Sequence, residues 1–510
     1  MLALAHAAAM LGIDGYIVRV EADSSAGTPS FSIIGLPDRA LGESRDRVRS
    51  AIFNSGFPFP AGKLLVNLAP ADIRKEGPAF DLAIALALLA IDEHVDRLAL
   101  AEHVALGELA LDGTLAPVRG ILPMVLGARS GGFRKLIVPR ANARESALVQ
   151  GLEIYAAETL ADAVAVILGK GAKFRWIEPP QPYRARPEAS GDFADVRGQF
   201  ASKRALEIAA AGGHNVLLIG PPGCGKTMLA RRLPSIMPAM SLEEALEVTK
   251  IASVAGKLGA DAGIAAIRPF RAPHHTISQI ALVGGGAVPK PGEISLAHNG
   301  LLFLDELPEF SRSAIEVMRQ PLESGSVTIS RAAGSFTYPA RFMLVVSLNP
   351  CPCGFRGTRT HDCRCDDATV ARYLSKISGP LLDRIDLHVE LARLDFDEIV
   401  GRERGEPSVA IRARVEAARE RQIARYSGSG VFTNAALPDT DVRARCALDA
   451  DATSILRAGA ARGTLSARAL DRIARVARTI ADLAGADEIG TEHVAEAIAY
   501  RTLERRGLAA

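Results

Sequence analysis

Gly220-Pro-Pro-Gly-Cys-Gly-Lys-Thr227 follows the apolar run Val216-Leu-Leu-Ile219 and opens Met228-Leu-Ala-Arg-Arg-Leu233, whose pattern predicts a helix. A buried strand, a glycine-rich turn and a helix in that order make GxxxxGK[ST] a phosphate cradle, a P-loop. The glycines let backbone N–H groups turn inward, and the helix N-terminus adds the positive end of its dipole. Gly220, Pro221, Pro222, Gly223, Cys224 and Gly225 are expected to line the cradle. Lys226 is expected to reach the β and γ phosphates of ATP, and Thr227 to ligate Mg²⁺. Cys224, inside the loop, is expected to pack.

Two later runs complete the pattern. Gly300-Leu-Leu-Phe-Leu-Asp-Glu306 is an apolar strand ending in two carboxylates, the form of a Walker B motif. Unpaired charge is too costly to bury, so these acids are not core residues. Asp305 suits a Mg²⁺ ligand through water, and Glu306 suits the group that orients and deprotonates an attacking water. Arg341-Phe-Met-Leu-Val-Val-Ser-Leu-Asn349 reads as a third buried strand with a polar tip, which places Asn349 at a sensor-1 position.

With 510 residues the chain is too long for one core, and 48% hydrophobic with 23% charged residues is an ordinary globular composition. A formal net charge of +2 excludes a global polycation, so any nucleic-acid surface must be local. No stretch reads as a signal peptide or a bilayer span, and a cytoplasmic location is expected. Residues 1–171 alternate strand-like runs (16–20, 63–67, 135–138) with helical ones (41–54, 80–91, 159–168), the pattern of an α/β domain. Residues 172–192, with four prolines, read as a linker. The motor core is expected over 193–390 and an all-α lid over 391–510.

Lys75-Glu-Gly-Pro-Ala-Phe-Asp81 and Leu115-Ala-Pro-Val-Arg-Gly-Ile121 resemble the proteolytic domain of Lon, in its ribosomal-S5-like fold. That resemblance implies a serine after Gly77-Pro78 and a lysine in the second motif. Ala79 and Arg119 stand there instead. Alanine has no nucleophile and arginine cannot serve as a neutral base, so a scaffold without peptidase activity is expected.

Ser378-Gly-Pro-Leu-Leu-Asp-Arg-Ile-Asp-Leu387 resembles the arginine-finger segment of AAA+ proteins, which implies that Arg384 reaches a neighbouring subunit's nucleotide; the alternative is an ion pair with Asp383 or Asp386. Ser466-Ala-Arg-Ala-Leu-Asp-Arg472 resembles sensor 2, with Arg468 on the γ phosphate. An insert over 269–298 and a hairpin over 325–338, joined to Cys351-Pro-Cys-Gly354 and the front domain, are similar to the Mg-chelatase-like AAA+ family that includes YifB and ComM. Membership implies a hexameric ring. For ComM it implies branch migration of DNA, single-stranded or branched, in natural transformation, with Arg331 of the hairpin gripping the backbone.

Cys351, Cys353, Cys363 and Cys365 supply four thiols in two tight pairs. They either close a structural zinc site or remain reduced thiols that cap a loop. Two rival functions stay open beside the DNA motor. One is a chelatase-type motor subunit or remodeller of a protein partner, for which the front domain is an unusual addition. The other is an ATP-dependent protease, opposed by Ala79 and Arg119.

Overall fold

The computed structural model describes residues 2–36, 39–71, 75, 77–176, 191–258, 263–286, 289–331, 334–357, 362–393, 405–461 and 467–501. The expected linker falls mostly outside that set. Two compact units make up the chain: Met1–Tyr183 with Leu246–Ala265 and Thr328–Tyr338, and the remainder.

The first unit is built on a seven-stranded sheet of order β3-β4-β2-β1-β5-β8-β9. Its strands are β1 Leu2–Leu11, β2 Asp14–Ser25, β3 Ser30–Ile34, β4 Lys63–Ala69, β5 His103–Ala105, β8 Lys135–Pro139 and β9 Glu153–Ala157; β6 Glu108–Leu109 and β7 Leu115–Ala116 form a separate short ladder. β1 pairs antiparallel with β2 and parallel with β5. Its alanines Ala3, Ala5, Ala7, Ala8 and Ala9 are all buried, and the helix Asp81–Ile91 packs on it. Every residue of that helix is buried, as its unbroken apolar sequence requires. Asp81, its first residue, is the exception in chemistry; Arg47 Nε donates to it at 2.9 Å, so the buried charge is paired.

Ala79 is buried and Arg119 exposed. The hairpin expected before Asn349 forms from β15 Ser326–Arg331 and β16 Gly334–Pro339. It lies against the β1–β2 turn, where a Cβ on Gly12 would stand 3.2 Å from Thr337 O. Lys250 reaches the same turn at Asp14, 3.2 Å away. The side chain of Arg331, at the end of β15, lies outside the described residues.

The second unit carries a parallel five-stranded sheet of order β11-β14-β17-β10-β18, from β10 Val216–Ile219, β11 Phe270–Arg271, β14 Leu301–Leu304, β17 Met343–Leu348 and β18 Leu387–Glu390. A small ladder pairs β12 Gly284–Gly285 with β13 Lys290–Pro291. Every strand pair of the main sheet is parallel. Such a sheet is covered on both faces, which is why β10, β14 and β17 are continuous apolar runs and not alternating ones. Helices Ser408–Arg425, Asp439–Arg445, Ala450–Ala461, Ala467–Leu483 and Thr491–Ala499 follow.

β18 buries His388, 1% exposed, with no hydrogen-bond partner for either ring nitrogen among the described residues. Burial, reinforced by the Arg501 charge, pushes its pKa down to about 3. An unfolded histidine titrates near 6.5, so the unfolded chain takes up a proton that the folded one refuses. The stabilisation is complete above about pH 6.5 and is lost as pH falls toward about 3, at roughly 1.4 kcal/mol per pH unit. Urea denaturation at pH 7 and pH 5 is expected to show a fall of about 2 kcal/mol from this group, missing in His388→Leu. An equal fall in both proteins would assign the pH dependence elsewhere.

Candidate active site

The order of the main sheet puts three motif-bearing strands side by side. β17 lies between β14 and β10, with Leu304 opposite Val346 and Ile219 opposite Leu348. The chain leaves all three at their carboxyl ends, where parallel α/β sheets bind ligands. Asp305, Asn349 and the P-loop therefore meet, although 129 positions separate Gly220 from Asn349.

After β10 the loop turns through Gly223 and Gly225, both left-handed at φ 76° and 95°. Successive N–H groups in such turns face one concavity that suits an anion. Gly220 is required by close packing: a Cβ there would lie 2.7 Å from Cys224 Sγ and 2.8 Å from Leu391 O. Cys224 is buried beneath the loop, and burial raises its pKa, so it packs as expected. Pro221 is buried, while Pro222 and Gly223 are exposed.

Lys226 begins the helix Lys226–Arg232 and is buried. Its Nζ donates to Gly220 O at 2.6 Å, to Pro221 O at 3.0 Å and to Asn349 Oδ1 at 3.1 Å. Burial lowers its pKa. A desolvated ammonium gains most from a concentrated anion, so the site suits polyphosphate.

Thr227 Oγ1 donates to Asp305 Oδ2 at 2.7 Å. Octahedral Mg²⁺ sets neighbouring oxygens about 2.9 Å apart, and hydroxyl and carboxylate are the hard ligands it takes. The pair fits the ion. Glu306 is exposed at the mouth and holds left-handed backbone, φ 54°. A non-glycine residue at that φ is strained, which is most often seen at functional positions.

Ser347 holds both acids and escaped the sequence reading. It stands beside Asp305 in the strand register; its Oγ donates to Asp305 Oδ1 and accepts from Glu306 N at 3.1 Å. The available signal was one hydroxyl in an otherwise apolar strand. Gln199 Nε2 donates to Cys224 O at 3.3 Å and to Ala392 O at 2.8 Å, tying the helix Phe200–Gly212 to the loop.

Arg384 is turned into its own chain, where its Nη2 pairs with Glu323, and not with Asp383 or Asp386, and its Nη1 donates to Pro380 O. Burial lowers its pKa, helped by the positive charges of Arg319, Arg472 and Arg468. Arg468 is exposed at the start of the helix Ala467–Leu483. Arg472 Nη1 pairs with Asp386 at 2.9 Å. Asp386 also bonds Asn215 N at 3.1 Å, while Asn215 Nδ2 donates to Arg384 O at 2.9 Å, so one polar chain braces the arginine segment against β10. Burial alone would raise the Asp386 pKa; His214 and Arg472 outweigh it and hold the carboxyl well below the usual range.

The Sγ atoms of Cys351, Cys353, Cys363 and Cys365 lie within 4.8 Å of one another.

Family models described as magnesium chelatase, subunit ChlI, match residues 192–399; subunit ChlI of Mg-chelatase, residues 20–142; and the ChlI C-terminal part, residues 405–501. YifB of Escherichia coli is 45% identical over 99% of this chain and 98% of its own length. Competence protein ComM of Haemophilus influenzae is 43% identical over 99% and 98%. An uncharacterized protein of Mycobacterium tuberculosis is 44% identical over 98% of both.

Proposed function

The chain belongs to the Mg-chelatase-like AAA+ family that includes YifB and ComM, and from that premise we propose that it is an ATP-hydrolysing ring motor acting on DNA. The observation that carries the ATPase is the convergence of Lys226, Thr227, Asp305, Glu306 and Asn349 at the ends of three adjacent parallel strands. Mg²⁺ bound with ATP supplies charge that offsets the transferring phosphoryl group. Thr227 and Asp305 are the residues that would hold it. The loop amides and Lys226 bind the phosphates, and Asn349 orients the γ phosphate against the attacking water. Glu306 takes the proton from that water. Arg384 of an adjacent subunit and Arg468 stabilise charge on the transferring group, within a hexamer.

DNA as the track rests on the near full-length similarity to a protein named for competence. Branch migration during transformation, with the hairpin and Arg331 on the phosphate backbone, is the fullest form of that reading. The front unit serves as a Lon-like scaffold without peptidase activity, since Ala79 is buried and lacks a nucleophile. Among the described residues no helix is long and apolar enough to cross a membrane.

A second reading, a chelatase-type motor that remodels a protein partner, is favoured by the ChlI models, one of which covers 20–142 in the front unit. That match removes the front unit as an argument against it. ATP turnover by the full chain, alone and with forked DNA, separates the two. The DNA motor is expected to be stimulated several-fold and to displace a strand, whereas unchanged turnover with forked DNA would favour the protein remodeller. No turnover under any condition would overturn the ATPase itself.

A further inference from the structure

Cys351 follows Asn349 by two residues, so whatever holds the cysteine loop also holds the amide that touches Lys226. The thiols are free, at Sγ–Sγ distances of 3.3 Å for Cys351–Cys353, 3.6 Å for Cys351–Cys363 and 3.6 Å for Cys353–Cys363. A tetrahedral ion with 2.3 Å bonds to sulfur sets its thiolates about 3.8 Å apart. Clusters of two or four irons spread their thiolates further, so the spacing suits one ion. Four soft sulfur ligands select Zn²⁺ over the oxygen-seeking Mg²⁺.

All four Sγ atoms lie within 4.8 Å of one another, with Cys351 buried and the other three half-buried.

The same loop presses on the phosphate cradle. Gly354 has φ 82°, and a Cβ there would lie 2.6 Å from Cδ of Pro222 and 3.8 Å from Cγ of Asn349. Its N–H closes a turn on Cys351 O at 2.9 Å. Only glycine fits that approach, in space and in backbone conformation.

We propose that Cys351, Cys353, Cys363 and Cys365 bind one Zn²⁺ as thiolates, and that this metal knot braces Asn349 and the P-loop through Gly354 and Pro222. The zinc site stands by itself; the bracing role rests on the ATP reading of the P-loop. Elemental analysis of full-length protein purified without added metal is expected to give about one zinc per chain. Co²⁺ exchanged into the site should show tetrahedral d–d and thiolate charge-transfer bands. Cys363→Ser should lose the metal and weaken binding of a fluorescent ATP analogue about tenfold or more. Gly354→Ala keeps all four thiols: it should retain zinc yet lose a similar factor in ATP affinity, and it serves where Cys363→Ser does not fold. Less than a tenth of a zinc per chain, with four thiols that react freely in the native protein, overturns the site. Full zinc with parental ATP affinity in Gly354→Ala overturns the brace. A parent that binds zinc but no ATP overturns the P-loop reading and the brace with it, while the zinc site stands.

Discussion

Arg384→Ala is expected to lower ATP hydrolysis by about 10³-fold or more while leaving ATP binding near the parental level. The guanidinium is held away from solvent by Glu323 and Pro380 O within its own chain. An arginine surrounded by the charges of Arg319, Arg472 and Arg468 is repelled by these neighbours and, among the described residues, held by Glu323. A γ phosphate from an adjacent subunit would compete with Glu323 for it on favourable terms, because bidentate phosphate contacts are among the strongest an arginine makes. Mixing decides whether Arg384 works across subunits. Lys226→Ala has a finger but a disabled cradle, and Arg384→Ala has a cradle but no finger. Mixed rings of the two should recover turnover that neither shows alone. If the mixture stays inactive while rings form, Arg384 acts within its own chain or only structurally, and Glu323 is its proper partner.

The second large effect is at Glu306. Glu306→Gln should reduce kcat by about 10²- to 10⁴-fold, the worth of a positioned general base, with ATP still bound. The substitution preserves size and leaves the backbone N–H on Ser347 Oγ, so the geometry around Asp305 is retained. Only the proton acceptor goes. Single-turnover measurements with bound ATP would read the chemical step directly. Parental turnover in Glu306→Gln would return the base role to another group and reduce Glu306 to a polar residue at a strand end.

Much of this site is legible in the chain because it is local. The cradle is eight consecutive residues, and its glycines, lysine and threonine are required at those spacings by the reach of backbone amides around a phosphate. Asp305, Glu306 and Asn349 each sit at the end of an apolar run, a pattern that reads as strand then polar tip wherever it occurs. The front domain was legible in its helices, such as Asp81–Ile91, where an unbroken apolar sequence can only be buried. It was less so at Leu2–Leu11. Alanine-rich sequence has weak strand preference, yet β1 lies inside the sheet, with the helix Asp81–Ile91 packed on it. Small side chains serve such close packing, and no neighbour in sequence announces it.

The chemical groups are written in the chain: a glycine-rich turn with its lysine and threonine, two acids, an amide, an arginine segment and four paired thiols. Folding sets which of them meet. The strand order sets β17 between β14 and β10, so Ser347 lies next to Asp305 and Asn349 next to Lys226. It also turned Arg384 onto Glu323 and laid Gly354 against Pro222. The difference is one of range. Backbone conformation and hydrophobic period act over a few residues and are written in the local pattern, whereas strand order and ion pairing are settled by competition among distant partners that only the folded chain brings together.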